Sequence, residues 1–409
     1  MKEFFKVVHL NDLLSLRTEF DPLDTEIVPV EESLGRILAQ EIMSDVDIPG
    51  FTRSTMDGYA VAAASTFGAS ESSPAFLNIM GAIAMGDEPQ FSIALGQAAK
   101  IATGGMLPKG ADSVVMVEHT DVVTDTAVEV FKSVAPGQNI IEKGEDLNKK
   151  TSILTLGHKI RPQELGLLAA TGQKRVKVFK KPMVGIISTG DEVVSIDQIP
   201  TVGQIRDINT YTLLGLVRQA GGIPKLFGIV KDSTADLKER CALALATSDM
   251  VLISGGSSVG VRDLSIDVIE ALPESRILVH GISISPGKPT ILAKSGTKAL
   301  WGLPGHAVSA MVVFLVGVRP FLWHLAGVSH GDAFESYLTA RLTRNLASVQ
   351  GRVDYIRVRL MEKDGRQWAE PVLGKSGLIR TMVEADGLIY IDLNQEGLEK
   401  GAKVCVYPI

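Results

Sequence analysis

Hydrophobic positions in residues 182–325 form short, nearly continuous runs, and segments with helical spacing separate them. The runs PMVGIIS, IPKLFGIV and DMVLIS predict buried strands. Between them, NTYTLLGLVRQAGG and STADLKERCALALAT predict helices, the first with Asn209 as its N-cap and Gly221-Gly222 as its stop. Strands that alternate with helical segments of about ten to fifteen residues indicate a doubly wound, mainly parallel sheet.

The same alternation continues to the end of this region. A helix is predicted at RDLSIDVIEAL, strands at RILVHGIS, PTILAK and KALWGLP, and a last helix at 307–318. The last stretch, AVSAMVVFLVGV, is the longest apolar run of the chain, yet it is too short to span a bilayer. It is therefore expected to be a buried core helix, and no membrane association is expected.

The rest of the chain has a different pattern. HLNDLLSLRTEF, SLGRILAQEIM and PQELGLLAATG predict helices, whereas residues 54–142 are rich in glycine and short β-type runs. After about residue 330, alternating runs predict a small β barrel or sandwich. The sequence thus predicts a multidomain α/β and β protein with four parts: a helical and extended domain (1–53 and 143–180), a β domain (54–142), an α/β domain (181–328) and a C-terminal β domain (329–409).

Composition narrows the choice of function. A chain of 409 residues is expected to form about two to four domains, in line with this pattern. The net charge of −6 gives no global field that would attract nucleic acid or anionic lipid. The two cysteines lie far apart and no Cys/His cluster has metal-ligand spacing, so a reducing compartment is expected. The first residues lack the features of a signal peptide, and a cytoplasmic protein is expected.

Polar turns follow three of the predicted strands, where an open α/β sheet binds its ligands. STGDE, VKD and SGGSSVGVRD bring Asp191, Glu192, Asp232 and Asp263 to one rim, and Asp263 would open a helix. The glycine-rich loop, with Gly255, Gly256, Ser257 and Ser258, leaves backbone N–H groups accessible. A phosphate or another oxyanion held by backbone is expected there, with carboxylates for Mg²⁺ or sugar hydroxyls. The loop is neither G-x-G-x-x-G nor a Walker P-loop, and it could also be a plain strand–helix turn.

Two further turns contain rigid prolines. SPGKPTI fixes Lys288 between Gly and Pro, which suits an oxyanion, although a solvated surface lysine is an equal alternative. GLPGHAVS ends a strand and opens a helix near Ser309, whose first-turn N–H groups could bind an anion or be capped. RSTMDGYAV with Asp57, TGGMLPKGAD and EKGEDL are polar turns that could equally be ordinary hairpin loops.

Taken together, these segments resemble the molybdopterin molybdenumtransferase family, which includes MoeA and the E domain of gephyrin. The matching segments occur in the family's order over nearly the whole chain: STMDGYAV, IATGGMLPKGADSVVM, GQNIIEKGEDL, STGDE, GQIRDIN, SGGSSVG with Asp263, PGKP and GLPG…VSA. The resemblance implies an elongated homodimer whose last domain is a β barrel. It also implies that the enzyme converts adenylylated molybdopterin and molybdate to molybdenum cofactor and AMP, with Mg²⁺.

The resemblance also implies roles for individual residues. It assigns nucleotide and cation binding to Glu192, Asp232 and Asp263, of which Glu192 and Asp263 are the metal ligands. The partner subunit's β domain completes the cleft through residues equivalent to Asp57, Thr103 and Asp146. Molybdate is held by Lys288 and Ser309, with help from Arg352 and Ser376. The other residues assigned to substrate binding are Gly255, Gly256, Ser257, Ser258, Pro304 and His306.

Four positions depart from the family pattern. Ser285 stands where a basic residue is usual, His306 and Ala307 replace Asn and Pro, and Arg53 replaces Asn. These changes leave open a preference for tungstate, or a non-catalytic molybdopterin-binding scaffold. An adenylyltransferase that activates molybdopterin would share the α/β domain but not the additional β domains. A sugar-nucleotide transferase has only the α/β rim in its favour.

Overall fold

The structure, a computed structural model, describes residues 7–255, 266–328 and 336–409. The chain forms two compact units, a larger one (Met1–Gln40, Leu156–Arg161 and Arg175–Ile409) and a smaller one (Glu41–Thr155 and Pro162–Lys174). The four domain boundaries given above stay a prediction.

A six-stranded mixed sheet forms the centre of the larger unit. From edge to edge its strands are Ile223–Val230, Met183–Thr189, Met250–Gly255, Lys298–Leu303, Ile291–Ser295 and Ser275–His280. The first four strands run parallel, so their carboxyl ends share one edge. Ile291–Ser295 runs antiparallel to them, and Ser275–His280 in turn pairs antiparallel with Ile291–Ser295.

Each face of this sheet packs against its own hydrophobic core, because successive side chains of a strand point to opposite faces. Ile186 and Leu252 belong to one core, together with Leu213 from the helix Asn209–Gln219. Ile187 and Ile253 belong to the other core, with Cys241 and its neighbours from the helix Thr234–Thr247. Burial raises the pKa of the Cys241 thiol to about 12, as expected for a core residue. Residues 266–270 are also helical.

A long helical stretch lies in the first core. It consists of the α-helix Ala307–Val313, a π-helical turn Phe314–Val318 and the α-helix Arg319–Leu325. In the described part of the chain, Ala307–Leu325 is the one helix whose length and composition would suit a membrane span. However, 78% of its most apolar window is buried within the protein, as expected of a core helix.

The C-terminal region forms a closed barrel. Its five strands, in order around the barrel, are Val353–Lys363, Arg366–Pro371, Leu338–Leu342, Lys403–Pro408 and Gly387–Ile391, and the last of these pairs again with the first. A short antiparallel pair, Leu346–Ala347 with Gly397–Leu398, and a helical turn, Arg380–Val383, complete the region. The strand Ile284–Ser285 adds to the barrel sheet by parallel pairing with Val353 and Asp354.

The N-terminal part of the larger unit confirms one predicted helix and corrects another. HLNDLLSLRTEF forms the α-helix Leu10–Ser15 and the 3-10 turn Leu16–Glu19. The helix predicted at SLGRILAQEIM is wrong: Gly35 has a φ of +73°, and the backbone bonds instead to Ile160 and His158. Tertiary hydrogen bonds have replaced the helical ones. The larger unit also contains Thr25–Pro29 paired with Arg175–Phe179, the turn Val30–Glu32, and Val193–Val194 paired with Ile205–Arg206.

The smaller unit contains a second six-stranded sheet with a core on each face. Its strands, in order, are Ser113–Met116, Gly58–Val61, Gln97–Ile101, Ala75–Ile83, Ala127–Val130 and Thr120–Thr124. Tyr59 and Val61 contribute to one core, and Ala60 to the other. The remaining elements are the strand pairs Arg53–Ser54 with Ile140–Ile141 and Ile42–Met43 with Ser152–Leu154, the turns Ala63–Thr66 and Val117–His119, and the helix Pro162–Ala170.

Candidate active site

A cleft of about 650 Å³ in the larger unit gathers residues that are far apart in the sequence. Its lining comes from the turn at 283–289, the turn at 304–309 and two barrel segments near 350–352 and 376. The four residues that the family resemblance assigned to molybdate line it: Lys288, Ser309, Arg352 and Ser376. Pro304 and His306, which were assigned to substrate binding, also line it. Ser285 lines it as well.

The turn that carries Lys288 is fixed by its backbone. The carbonyl of Lys288 accepts hydrogen bonds from the N–H groups of Ile282 (3.0 Å) and Thr290 (2.9 Å). Gly287 has a φ of +124°, and a Cβ at this position would lie 2.6 Å from Cγ2 of Val313. Only glycine fits there, because the backbone packs directly against the core helix. The Lys288 side chain is exposed at the cleft.

Arg352 is held at the cleft by a buried carboxylate. Its Nε lies 2.8 Å from Oδ1 of Asp354, and the other carboxylate oxygen of Asp354 accepts a hydrogen bond of 2.8 Å from Ser348 Oγ. Paired in this way, the guanidinium has little freedom to turn away, and its remaining N–H groups are available to an anion.

His306 and Ser376 form a hydrogen-bonded pair in the same cleft. Nδ1 of His306 lies 2.8 Å from Oγ of Ser376, and the carbonyl of Ser376 accepts a hydrogen bond of 3.1 Å from the N–H of Val308. The helix begins at Ala307 with His306 as its N-cap, which confirms the predicted start at residue 307, close to Ser309. Ser309 is buried in the first turn, and one of the first-turn N–H groups is already bonded to Ser376.

The polar turns of the α/β sheet meet at the carboxyl edge of its parallel strands. The N–H of Asp232 donates to Oδ1 of Asp191 (3.2 Å), and Nζ of Lys231 donates to the Asp191 carbonyl (2.8 Å). Gly255 packs so closely on Thr189 that a Cβ would lie 2.1 Å from the threonine Oγ1. The first two turns therefore contact each other, and the third strand ends beside them.

Electrostatics at this edge favour a cation. Burial raises the pKa of Asp232, and the neighbouring charges of Asp191 and Glu192 raise it further. Oδ1 of Asp232 is buried without a hydrogen-bond partner. A divalent cation would relieve both the repulsion and the missing contact, so the residues present fit one.

The set of metal ligands is nevertheless incomplete in what the structure describes. Among residues 7–255, 266–328 and 336–409, no group of three His, Cys, Asp or Glu side chains forms a metal site. Glu192 is exposed at the edge, whereas Asp263, the second predicted ligand, lies outside the described residues. The loop residues Gly256, Ser257 and Ser258 also lie outside them.

Asn209 is a residue whose place the sequence reasoning missed. It was expected to cap its helix, but the N-cap is Ile208 and Asn209 is the first helical residue. Its buried Nδ2 donates to Ser254 Oγ (2.6 Å) and to the carbonyl of Gly305 (2.8 Å). Asn209 therefore ties the acidic edge of the sheet to the turn that lines the cleft. The polar ending of GQIRDIN was the available signal, but local pattern alone could not show these long-range bonds.

The smaller unit brings Asp57 and Thr103 together. Oδ1 of Asp57 accepts hydrogen bonds from the backbone N–H (2.7 Å) and the hydroxyl (3.1 Å) of Thr103, and both residues are exposed. Asp146 is exposed on a different turn, where its N–H donates to the carbonyl of Ile48 (3.1 Å).

Comparison with known proteins identifies the family. Family profiles match over residues 8–172 (MoeA N-terminal region, domains I and II), 185–324 (molybdopterin binding domain) and 339–409 (MoeA C-terminal region, domain IV). A protein of Methanocaldococcus jannaschii named for molybdopterin biosynthesis is 39% identical over 93% of this chain and 91% of its own length. The molybdopterin molybdenumtransferase of a Nostoc species is 35% identical over 94% and 88%. The chain belongs to the molybdopterin molybdenumtransferase (MoeA) family.

A solved structure agrees with this assignment. The molybdopterin biosynthesis MoeA protein of Pyrococcus horikoshii superimposes with a TM-score of 0.85 and 31% identity, over 99% of this chain and all of that one. The MoeA-like multidomain fold, with mixed sheets and a closed five-stranded barrel, is therefore established for this chain.

Two of the positions at which the sequence analysis expected a departure from the family pattern lie in the cleft. Ser285 and His306 both line it, and Ala307 is buried at the start of the core helix beside His306. Arg53 is exposed in a short strand of the smaller unit.

Proposed function

We propose that this protein inserts molybdate into adenylylated molybdopterin and releases AMP, as a Mg²⁺-dependent transferase. Its role in molybdenum cofactor biosynthesis follows from its family. The observation that carries the finer proposal is the cleft, where two cationic side chains and four serine side chains from distant segments converge. A tetrahedral oxyanion requires this combination of fixed positive charge and hydrogen-bond donors.

In this cleft the side chains have separable roles. Lys288 supplies a point charge on a rigid turn, and Arg352, oriented by Asp354, supplies N–H groups in a planar fork. The hydroxyls of Ser309 and Ser376 would donate to the anion's oxygens. Together these groups would neutralise the dianion and hold it in one orientation while it displaces the adenylyl group.

The acidic edge of the α/β sheet is proposed to bind the nucleotide. Glu192, Asp232 and Asp263 would hold Mg²⁺ together with substrate phosphates, in the way this ion usually combines one or two carboxylates with phosphate oxygens. When bound, the ion would stabilise charge on the leaving AMP phosphate. The loop from Gly255 to Ser258 would present backbone N–H groups to the pterin or the phosphates.

A homodimer is part of the proposal, with Asp57, Thr103 and Asp146 of a second subunit completing the substrate cleft. Exposed apolar side chains on the turn after Glu192 support a partner surface on the α/β region, since Ile199 is 86% and Val202 106% exposed. The proposed location is the cytoplasm, where the family's substrates would be available.

The deciding experiment is oxyanion-dependent AMP release. Purified protein is given adenylylated molybdopterin and Mg²⁺, and molybdate or tungstate is titrated in separate series. We expect release that requires both the metal ion and the oxyanion and that is lost in Asp263→Asn. Tight pterin binding without release would contradict the transferase proposal and leave a binding scaffold. The anion that gives the higher kcat/KM shows which oxometalate the cleft selects.

A further inference from the structure

A buried arginine holds the chain segment that leads to Ser376 in the cleft. Arg357 belongs to the barrel strand Val353–Lys363 and is 7% exposed. Its Nη2 donates to the carbonyl of Gly374 (2.8 Å), and its Nε donates to the carbonyl of Val372 over a longer distance of 3.4 Å. The N–H of Val372 donates in turn to the carbonyl of Arg357 (2.9 Å). One residue therefore fixes this segment through three hydrogen bonds.

Arg357 makes these bonds without a partner of opposite charge. Burial lowers the pKa of its guanidinium, and in the described part of the chain no carboxylate forms an ion pair with it. Burying a charged group costs free energy that a neutral side chain would not cost. A guanidinium nevertheless suits this position, because its rigid fork can donate to two carbonyls at once. This combination favours a role for the segment that Arg357 fixes.

Ser376 lies between this segment and a second anchor. It follows Gly374 by two residues, and its carbonyl accepts a hydrogen bond of 3.1 Å from the N–H of Val308 in the core helix. Its Oγ lies 2.8 Å from Nδ1 of His306. Because both anchors are fixed, the serine hydroxyl has a defined place in the cleft. Loss of the anchor at Arg357 would let Ser376 shift, and a shift of about an ångström is enough to weaken a hydrogen bond to an anion.

We propose that Arg357 is a positioning residue of the oxyanion subsite, which holds Ser376 where the serine hydroxyl can donate to a bound dianion. This rests on the proposed function, because that function makes the cleft the oxyanion subsite. Arg357 is not one of the described residues that line the cleft, so its effect on the anion must pass through Ser376. It should therefore change the affinity for the oxyanion and leave nucleotide binding at the acidic edge of the α/β sheet unchanged.

Two substitutions of Arg357 and one matched control test this role. Arg357→Lys keeps the charge but loses the planar fork that spans the two carbonyls. Arg357→Gln keeps a donor and removes the buried charge, so it should fold even if an unpaired ammonium is not tolerated at this position. The control is Arg36→Lys, because Arg36 is also buried (8% exposed) and donates to a backbone carbonyl, that of Phe179 (2.8 Å), but neither residue lines the cleft.

The test is calorimetric titration of the purified protein with molybdate and, separately, with sulfate, arranged as a double-mutant cycle with Ser376→Ala. We expect Ser376→Ala to weaken binding of the dianion roughly tenfold, because a hydrogen bond to a charged group is lost. Each Arg357 variant should weaken it roughly three- to tenfold in the wild-type background and by less than about twofold in the Ser376→Ala background. AMP with Mg²⁺ should bind all variants within about twofold of the wild type, and Arg36→Lys should keep the wild-type affinity for both anions.

The outcomes separate this proposal from the proposed function. Wild-type anion affinity in the Arg357 variants, or an equal loss in Arg36→Lys, would overturn the positioning role. Losses that add in full to that of Ser376→Ala would overturn action through the serine. If the cycle behaves as expected but the wild type releases no AMP, the role of Arg357 stands and the transferase proposal fails. If the wild type binds neither anion, the oxyanion site is removed and both proposals fail with it.

Discussion

The cleft and the acidic edge of the α/β sheet lie in the same unit but differ in their charges. The cleft presents cations that are held in place, whereas the edge presents carboxylates that repel one another. In the cleft, Arg352 is neutralised in part by a buried carboxylate that orients it, and Lys288 sits on a turn that the core holds rigid. At the sheet edge, Asp191, Glu192 and Asp232 repel one another, and Asp232 keeps a buried oxygen without a partner. One site is preorganised, whereas the other is strained until a cation arrives.

This difference indicates which kind of ligand each region would bind. Fixed cations and hydroxyls lower the cost of binding an anion, because little reorganisation is needed when it enters. Carboxylates held close together destabilise the protein without ligand and favour a metal ion with its phosphates. The two halves of the proposed substrate pair, an oxometalate and a metal-bound nucleotide, match these two environments.

Removing the fixed cation of the cleft should have the largest effect. For Lys288→Ala we expect oxyanion-dependent AMP release to fall roughly 100-fold or more in kcat/KM, in line with the loss of one electrostatic contact to a reacting anion. Adenylylated molybdopterin should still bind, since the acidic edge is unchanged. Lys238→Ala, which removes an exposed lysine from the helix Thr234–Thr247, serves as the control and should keep wild-type kinetics. Equal losses of activity in both variants would argue against a local role for Lys288.

The rigidity of the cleft can be tested through its glycine. Gly287→Ala places a methyl group 2.6 Å from Val313 at a φ of +124°, so we expect a loss of about 2–4 kcal/mol in the free energy of unfolding. Gly215→Ala is the matched control, because no atom lies within 4 Å of its Cβ position in the helix Asn209–Gln219. That control should be stabilised by about 0.5–1 kcal/mol. Urea unfolding measures the stability of both variants. An unchanged free energy of unfolding in Gly287→Ala would show that the turn can rearrange to accept the methyl group.

Removing the charge of Asp232 should have the smallest effect of the three substitutions. It should stabilise the protein, whereas Gly287→Ala destabilises it. Asp232 has a raised pKa in the folded protein, so its charged form opposes folding at neutral pH, and this penalty disappears as the pH falls and the group is protonated. Asp232→Asn should therefore raise the Tm of the ligand-free protein at neutral pH, by on the order of a degree or two, and not at acidic pH. The same variant should lose Mg²⁺-dependent nucleotide binding. A lower Tm at neutral pH would mean that the carboxylate is not strained.

The sequence by itself determined most of the elements. Apolar runs separated by helical spacing were enough for the strands Met183–Thr189 and Met250–Gly255 and for the helices between them, because burial on both faces leaves a continuous hydrophobic signal. The segment SLGRILAQEIM shows the limit of this reasoning. It has helical spacing, but hydrogen bonds to residues more than a hundred positions away decide its conformation.

Only the tertiary structure decided the site. Lys288, Arg352 and Ser376 were each singled out from sequence motifs or family resemblance, but their convergence in one cleft depends on the pairing of Ile284–Ser285 with a barrel strand. The bond between His306 and Ser376 and the long-range bonds of Asn209 could not be derived from any local pattern. Local pattern fixes which side of an element is apolar, whereas a polar side chain's partner is set by the packing of distant segments, which no short stretch of sequence contains.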